Sequence, residues 1–280
     1  MTELIKVSGI LAPEVHLYED SSSKTLNLKE IAFYLSETLG EVSVDIRRPL
    51  VTISSGEILE ELALKLADAK VRGIANPNLH SEPLLGEVEF EKKQILNPEL
   101  MLTGVLYDGS KIQKIIFDLI SEGELNLAHA HIMFTNRLFG TWETDGRYHI
   151  RVNILGFPSM ISTTGIVEAP AKPKEFYVLK QQYAAMGKSI PIEELKEKFS
   201  GRFIDYDDER LTEVMKGYVM QAIFYHLGLD PFCDKIACKL HNSHWQEEVI
   251  ESKLKQRKEE FCYFHNKILN NLRQAFCQKD

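Results

Sequence analysis

Gly217-Tyr-Val-Met-Gln-Ala-Ile-Phe-Tyr-His-Leu-Gly228 runs shortly afterwards into Cys233-Asp-Lys-Ile-Ala-Cys238, and further on the chain offers a second pair, Cys262-Tyr-Phe-His265. Four soft ligands in two close pairs point to a metal site. Zinc takes four nitrogen or sulfur donors in a tetrahedron, and two short loops carrying two ligands each supply that geometry without straining the backbone. The spacing predicts one structural Zn2+ per chain on Cys233, Cys238, Cys262 and His265. The alternative is that Cys233 and Cys238 are small buried hydrophobes at a helix end, which accounts for a single cysteine better than for a spaced pair.

Upstream of the pairs, Leu211, Val214, Met215, Tyr218, Val219, Ala222 and Ile223 make a wide apolar face with no proline inside, which predicts a helix over Leu211–Gly228. Gly228 ends it and Pro231 prevents its continuation. The acidic run Asp205, Asp207, Asp208 and Glu209 suits a helix start, with Asp207 or Asp208 as its cap.

In the first third, Leu28, Ile31, Ala32, Leu35 and Leu39 form a helical stripe stopped by Gly40, and Val42–Ile46 alternates as a strand. Gly56–Val71 and Lys111–Ile120 repeat the helical pattern, and a proline- and asparagine-bearing loop is expected over Asn76–Pro83. Leu127–Thr135 is an apolar run that suits a buried strand. An Asp145-Gly146 turn followed by the alternation of Tyr148–Ile154 predicts a hairpin. Pro170, Pro173 and Pro191 punctuate the segment beyond the hairpin, with a short helix over Glu193–Phe199. The fold class expected is α/β with α+β character, a mixed sheet with helices.

Composition agrees with a globular chain: 280 residues, 44% apolar, 26% charged. A net charge of -8 disfavours non-specific attraction to nucleic acid, and the basic residues do not cluster. No apolar run is long enough for a membrane span, and Met1–Leu11 lacks the features of a signal peptide. Three cysteines near the C-terminal end plus Cys277 do not form a disulfide framework, so a reducing, cytoplasmic setting is expected.

The order of apolar helix with His226, Gly228-Leu229 at its end, Cys233-x4-Cys238, Asn242-Ser243, Glu247-Glu248 and Cys262-x2-His265 resembles the archaemetzincins, metzincin-type zinc peptidases with a structural zinc beside the catalytic one. Their pattern is His-Glu-x-x-His-x-x-Gly-x-x-His-Cys-x4-Cys-x-Met followed by Cys-x2-Cys, and Leu240 stands where the methionine would be. The blocks Phe139-Gly-Thr-Trp142, Gly156-Phe-Pro158 and Glu168-Ala-Pro170 are similar to those of archaeal proteins described as metallopeptidases. The resemblance implies a metzincin-like C-terminal half with a zinc-stapled C-terminal segment. It divides the chain into an N-terminal α/β region, 1–110, and a metzincin-like zinc-binding region, 111–280, which one continuous domain would also accommodate.

The catalytic part of the motif departs from the family. Counting back from Cys233, His226 falls on the second His, but the first His becomes Ala222, the Glu becomes Ile223 and the third His becomes Phe232. Matching Gly228 to the motif glycine instead turns His-Glu into Gln221-Ala222 and the second His into Tyr225. Either way the glutamate that would deprotonate a zinc-bound water is missing. The expected reading is a non-catalytic descendant holding a peptide or protein in the former substrate cleft, with Ala222, Ile223 and Phe232 in its lining. The alternative is a rearranged active site in which His129 and His131, on one face of a strand, are joined by His226. His149, opposite the Asp-Gly turn, is a further cleft candidate, and His241 and His244 suit a surface or zinc-loop role.

Overall fold

Helices and strands alternate through most of the computed structural model, which describes residues 11–49, 51, 56–76, 82–187 and 192–277. The order is β1 (Glu14–Tyr18), α1 (Leu28–Leu39), β2 (Val44–Arg47), α2 (Gly56–Asp68), α3 (Leu85–Leu96), β3 (Leu106–Asp108), α4 (Gly109–Phe117), β4 (His129–Thr135), β5 (Leu138–Trp142), β6 (Tyr148–Arg151), β7 (Asn153–Ile154), β8 (Ser159–Ser162), α5 (Gly165–Glu168), α6 (Lys174–Ala185), α7 (Ile192–Lys198), α8 (Leu211–His226), α9 (Gln246–Val249) and α10 (Tyr263–Cys277). Residues 1–10, Pro191 and residues 77–81 of the expected loop lie outside the described residues. No helix among the described residues is long and apolar enough to cross a membrane.

Five strands form the main sheet in the order β2-β1-β4-β8-β7. The first four are parallel and β7 runs antiparallel at the edge. A second sheet, β3-β5-β6, pairs β3 with β5 in parallel and β5 with β6 across the expected hairpin. Both sheets take strands from either side of residue 110, so the 110/111 boundary runs through each of them. The continuous strand expected over Tyr148–Ile154 is two strands in different sheets, because the chain leaves the hairpin at Val152 and joins the main sheet through Asn153 and Ile154.

Strand alternation sorts the two faces of the main sheet. Val15, Leu17, Ala130, Ile132, Phe134 and Ile161 point into the larger core against α1, α8 and α10. Tyr18, Met133 and Met160 point the other way, into a second core with α2, α3 and α4. Helix α8 is buried from Leu211 through Phe224 except at Glu213, and a helix covered on nearly every side belongs in the middle of a fold. At Gly217 an added Cβ would come within 2.4 Å of Lys253 Cδ, so glycine lets the buried lysine stem cross the helix. The expected aspartate cap differs in detail. Arg210 takes the cap position, and Asp208 accepts from its backbone N–H at 2.9 Å one step earlier while its carboxylate also binds the Arg210 guanidinium.

Candidate metal centre and groove

The loop after α8 folds back on itself. Cys233 N–H donates to the Leu240 carbonyl at 3.1 Å, His241 N–H to the Cys238 carbonyl at 2.9 Å, and Cys238 N–H to the Lys235 carbonyl at 2.9 Å. Lys239 N–H donates to the Glu260 carbonyl at 2.8 Å, which ties this loop to the turn that opens α10. Cys262 precedes α10 and His265 lies in its first turn, so the second pair approaches from a separate arm.

The donor atoms of Cys233, Cys238, Cys262 and His265 all lie within 4.8 Å of one another. Cys233 Sγ is 3.9 Å from Cys262 Sγ, and His265 Nδ1 is 3.5 Å from Cys238 Sγ and 3.2 Å from Cys262 Sγ. A tetrahedron with zinc–sulfur bonds of about 2.3 Å has sulfur–sulfur edges of roughly 3.8 Å, so the donor set fits zinc. The same sulfur separation is far too long for a disulfide, and the cysteines are free.

Burial pushes the Cys233 thiol up to about 12 and raises Cys238 as well. Cys262 is also opposed by burial, but backbone N–H groups of His265 and Phe264 and the neighbouring thiols favour its thiolate and leave it lowered. Burial lowers His265, keeping its imidazole in the neutral form that binds metal. Cys277 stands apart at the end of α10, exposed and beside Gly40.

The rearranged set of His129, His131 and His226 does not assemble. His226 Nε2 bonds to the Leu127 carbonyl at 3.0 Å, and the Phe157 ring packs against both His131 and His226, with centroids at 5.4 and 6.3 Å. His129 and His131 meet His16 instead, because β4 lies beside β1 in the main sheet. His131 is buried, and that burial lowers its pKa to about 4. Beside it the Arg47 guanidinium binds Glu124 in two bonds and holds its carboxyl down at about 2.

A groove of about 620 Å3 opens along the sheet edge. One wall is Arg151–Leu155, which passes from β6 to the edge strand β7; the other includes Tyr218 and Tyr225 of α8 together with Phe232. Phe232 is therefore in the groove, but Ala222 and Ile223 are not. They face the core and are almost wholly buried, because α8 turns that side inward. His226 is also absent from the groove wall, and His149 pairs with Asp145 at 2.8 Å on the exposed hairpin. His244 lines the groove, while His241 Nδ1 bonds to the Cys233 carbonyl at 3.0 Å, within the cysteine loop.

Gln221 takes up the position between strand and loop. Its side-chain oxygen accepts from Asn153 at 3.1 Å and its amide donates to the Leu240 and His241 carbonyls. The Tyr218 hydroxyl is fully buried and has no hydrogen-bond partner among the described residues, and burial raises its pKa. Neither residue stood out in the sequence as a polar group of a site, since both sit within an otherwise apolar helix.

A profile of a family described as "Probable metallopeptidase family (DUF6775)" matches residues 12–272. Among solved structures, an archaemetzincin from Methanopyrus kandleri is similar at 14% identity and a TM-score of 0.44, covering 97% of this chain and 99% of that one. A zinc-dependent peptidase from Methanocorpusculum labreanum is similar at 16% identity and a TM-score of 0.40, covering 91% of this chain and 98% of that one. No curated protein matches the sequence.

Proposed function

Because the chain belongs to this family of probable metallopeptidases, we propose that it is a zinc-stapled member that keeps a peptide-holding groove without the peptidase chemistry of the motif helix. Cys233, Cys238, Cys262 and His265 would hold one zinc ion. With four protein donors the metal supplies a cross-link and has no position for water. Its binding should displace protons, because burial keeps Cys233 and Cys238 as thiols in the free protein. Apparent zinc affinity is therefore expected to fall as pH is lowered, with roughly two or more protons taken up per zinc released. Competition with a chromophoric chelator across pH measures this slope. A pH-independent affinity would count against thiolate ligation.

The loss of chemistry on α8 follows from its residues. In one register the catalytic positions hold Gln221, Ala222 and Tyr225, and in the other Ala222, Ile223 and Phe232 with His226. No carboxylate stands between paired imidazoles in either. None of the clusters of potential ligands found among the described residues includes a residue of α8.

The observation that carries the binding reading is Tyr218, which lines the groove while its hydroxyl, closed off from solvent, has no hydrogen-bond partner among the described residues. An orphan hydroxyl costs about 1–3 kcal/mol in the free protein, which an acceptor on a bound chain would recover once the Tyr218 side chain turns that hydroxyl toward the groove. Edge strands accept extended segments by adding a strand, and β7 with the Arg151–Leu155 segment supplies such an edge opposite the aromatic wall. An extended peptide is the occupant that uses both walls: the strand edge binds its backbone, and Tyr225 and Phe232 cover its apolar side chains.

Tyr218→Phe separates this from a packing role. It removes only the hydroxyl, so folding stability should stay level or rise slightly, while peptide affinity falls by about tenfold, the worth of one buried hydrogen bond. The assay is fluorescence anisotropy with labelled unstructured peptides. Equal affinity of wild type and variant would remove the support for the groove reading. Cleavage of those peptides by a metal-dependent activity that survives Cys238→Ser would overturn the non-catalytic one.

A further inference from the structure

Three adjacent parallel strands carry a line of polar residues on the face turned away from the larger core: Glu14 and His16 on β1, Asp45 on β2, and His129 and His131 on β4. The register sets Glu14 beside His129, and His16 between Asp45 and His131. His16 Nδ1 is hydrogen-bonded to the Asp45 carboxylate, and its Nε2 faces His129 Nδ1 at 3.0 Å. A Glu14 oxygen stands 3.7 Å from the same His129 nitrogen.

We propose that Glu14, His16 and His129 form a second divalent metal site, separate from the cysteine cluster, taking a borderline transition ion through two imidazole nitrogens and a carboxylate. The ligand atoms of the three residues lie within 4.8 Å of one another. Asp45 accepts the Nδ1 proton of His16, which fixes the tautomer with its Nε2 lone pair directed at the site; a carboxylate behind a ligating histidine is the usual support of such a centre. Two histidines and a carboxylate suit zinc, cobalt or iron and leave positions open.

The neighbouring set of His16, Glu124 and His131 is also compact, but its groups are already engaged. Arg47 takes both Glu124 oxygens at 2.6 and 2.8 Å. His131 Nδ1 bonds to the Tyr18 hydroxyl at 2.9 Å, and its Nε2 is 3.3 Å from the Glu124 carbonyl. His131 therefore forms a wall of the site, its ring centroid 4.7 Å from that of His16. Access is from the Glu14 side, since the Glu14 side chain is 63% exposed and that of His129 is 19% exposed. Among the described residues the local charge favours a cation: the carboxylates of Glu14, Asp45 and Glu124 surround the imidazoles, against the guanidinium of Arg47.

Cobalt titration of the full chain, stripped of metal by chelator, tests this independently of the cysteine cluster. Two equivalents are expected. One should show intense thiolate-to-cobalt charge-transfer absorption that disappears in Cys238→Ser. The other should show only weak d–d bands, persist in Cys238→Ser, and be weakened at least tenfold in His129→Gln and in Glu14→Gln. Asp45→Asn, which removes no ligand but weakens the support of His16 and loosens the pair with Arg47, should weaken the second equivalent about 10–100-fold. Glu14 is exposed, so Glu14→Gln should fold as the wild type does, and a thermal melt of the metal-free protein checks this. A single equivalent in the wild-type protein, or a second one unaffected by both Glu14→Gln and His129→Gln, overturns the proposal.

Discussion

Cys238→Ser is expected to abolish tight zinc binding and to loosen α10 from the rest of the protein. Cys238 Sγ is fully buried and its donor set draws on two arms that are otherwise joined by few bonds, among them that from Lys239 N–H to the Glu260 carbonyl. Zinc bound there closes the long loop between the two arms, and the binding free energy becomes folding free energy, about 10–16 kcal/mol in gross apparent terms for structural sites of this kind. At free zinc about 1,000-fold above Kd the linked stabilisation is about 4 kcal/mol, and that is the loss expected of the variant. Hydrogen exchange should quicken over Tyr263–Cys277, where Ile268, Leu269, Leu272 and Phe276 pack into the larger core. Cys238→Ala separates ligation from packing. If the thiol were only a small buried hydrophobe, alanine would be much milder than serine; if it ligates zinc, both lose the metal equally. Cys277→Ser, outside the donor set, should retain both metal and melting temperature. One zinc per chain in purified Cys238→Ser, with unchanged exchange in α10, would sink the assignment.

Legibility in the sequence depended on whether the signal was local. The cysteine cluster was legible because each pair lies within one short loop, and two loops of matching chemistry invite a common centre. Helix α8 was legible because Leu211, Val214, Met215, Tyr218, Val219, Ala222 and Ile223 make a wide apolar face with no proline inside. The histidine cluster was not, since His16, Asp45 and His129 come from three strands whose adjacency depends on the sheet order. The two-residue spacing of His129 and His131 does put them on one face of a strand, but their partner is His16 across the β1–β4 pair and not His226. Strand β1 itself alternates Glu14-Val15-His16-Leu17-Tyr18, a period-two pattern that marks a strand whose polar residues share a face. Helix α10 also carries a regular stripe, Ile268, Leu269, Leu272 and Phe276, available from spacing alone. Helix α3 is harder, because one of its three buried positions is a glutamate, Glu91, which breaks the apolar stripe.

That buried glutamate supports the other large expected effect. Glu91 is fully buried in α3 and accepts from the Tyr107 hydroxyl at 2.7 Å, from Arg137 Nη1 at 2.7 Å and from Lys70 Nζ at 3.0 Å. Tyr107 lies on β3 and Arg137 immediately precedes β5, so the carboxylate holds the second sheet to α3. The Arg137 guanidinium also lies over the Tyr107 ring and Lys70 over that of Phe90, so each cation is enclosed by aromatic surface. Glu91→Ala would leave Arg137 and Lys70 desolvated and unpaired, a loss of about 3–5 kcal/mol for a buried pair broken on one side. Glu91→Gln keeps the shape and some of the hydrogen bonding and should fall between wild type and alanine. Replacing Glu91 and Arg137 together by leucine removes that pair and leaves only Lys70 without its partner, so it should be milder than Glu91→Ala, which strands both cations. Urea unfolding midpoints measure the series, and a Glu91→Ala protein within about 1 kcal/mol of wild type would contradict it. The effect should reach the groove, since β5 and β6 carry Thr141, Ile150 and Arg151 to its rim. A Glu91→Gln protein that still folds is therefore expected to bind peptide more weakly with its zinc content unchanged, which separates the groove from the metal centre as two independently damaged parts of one fold.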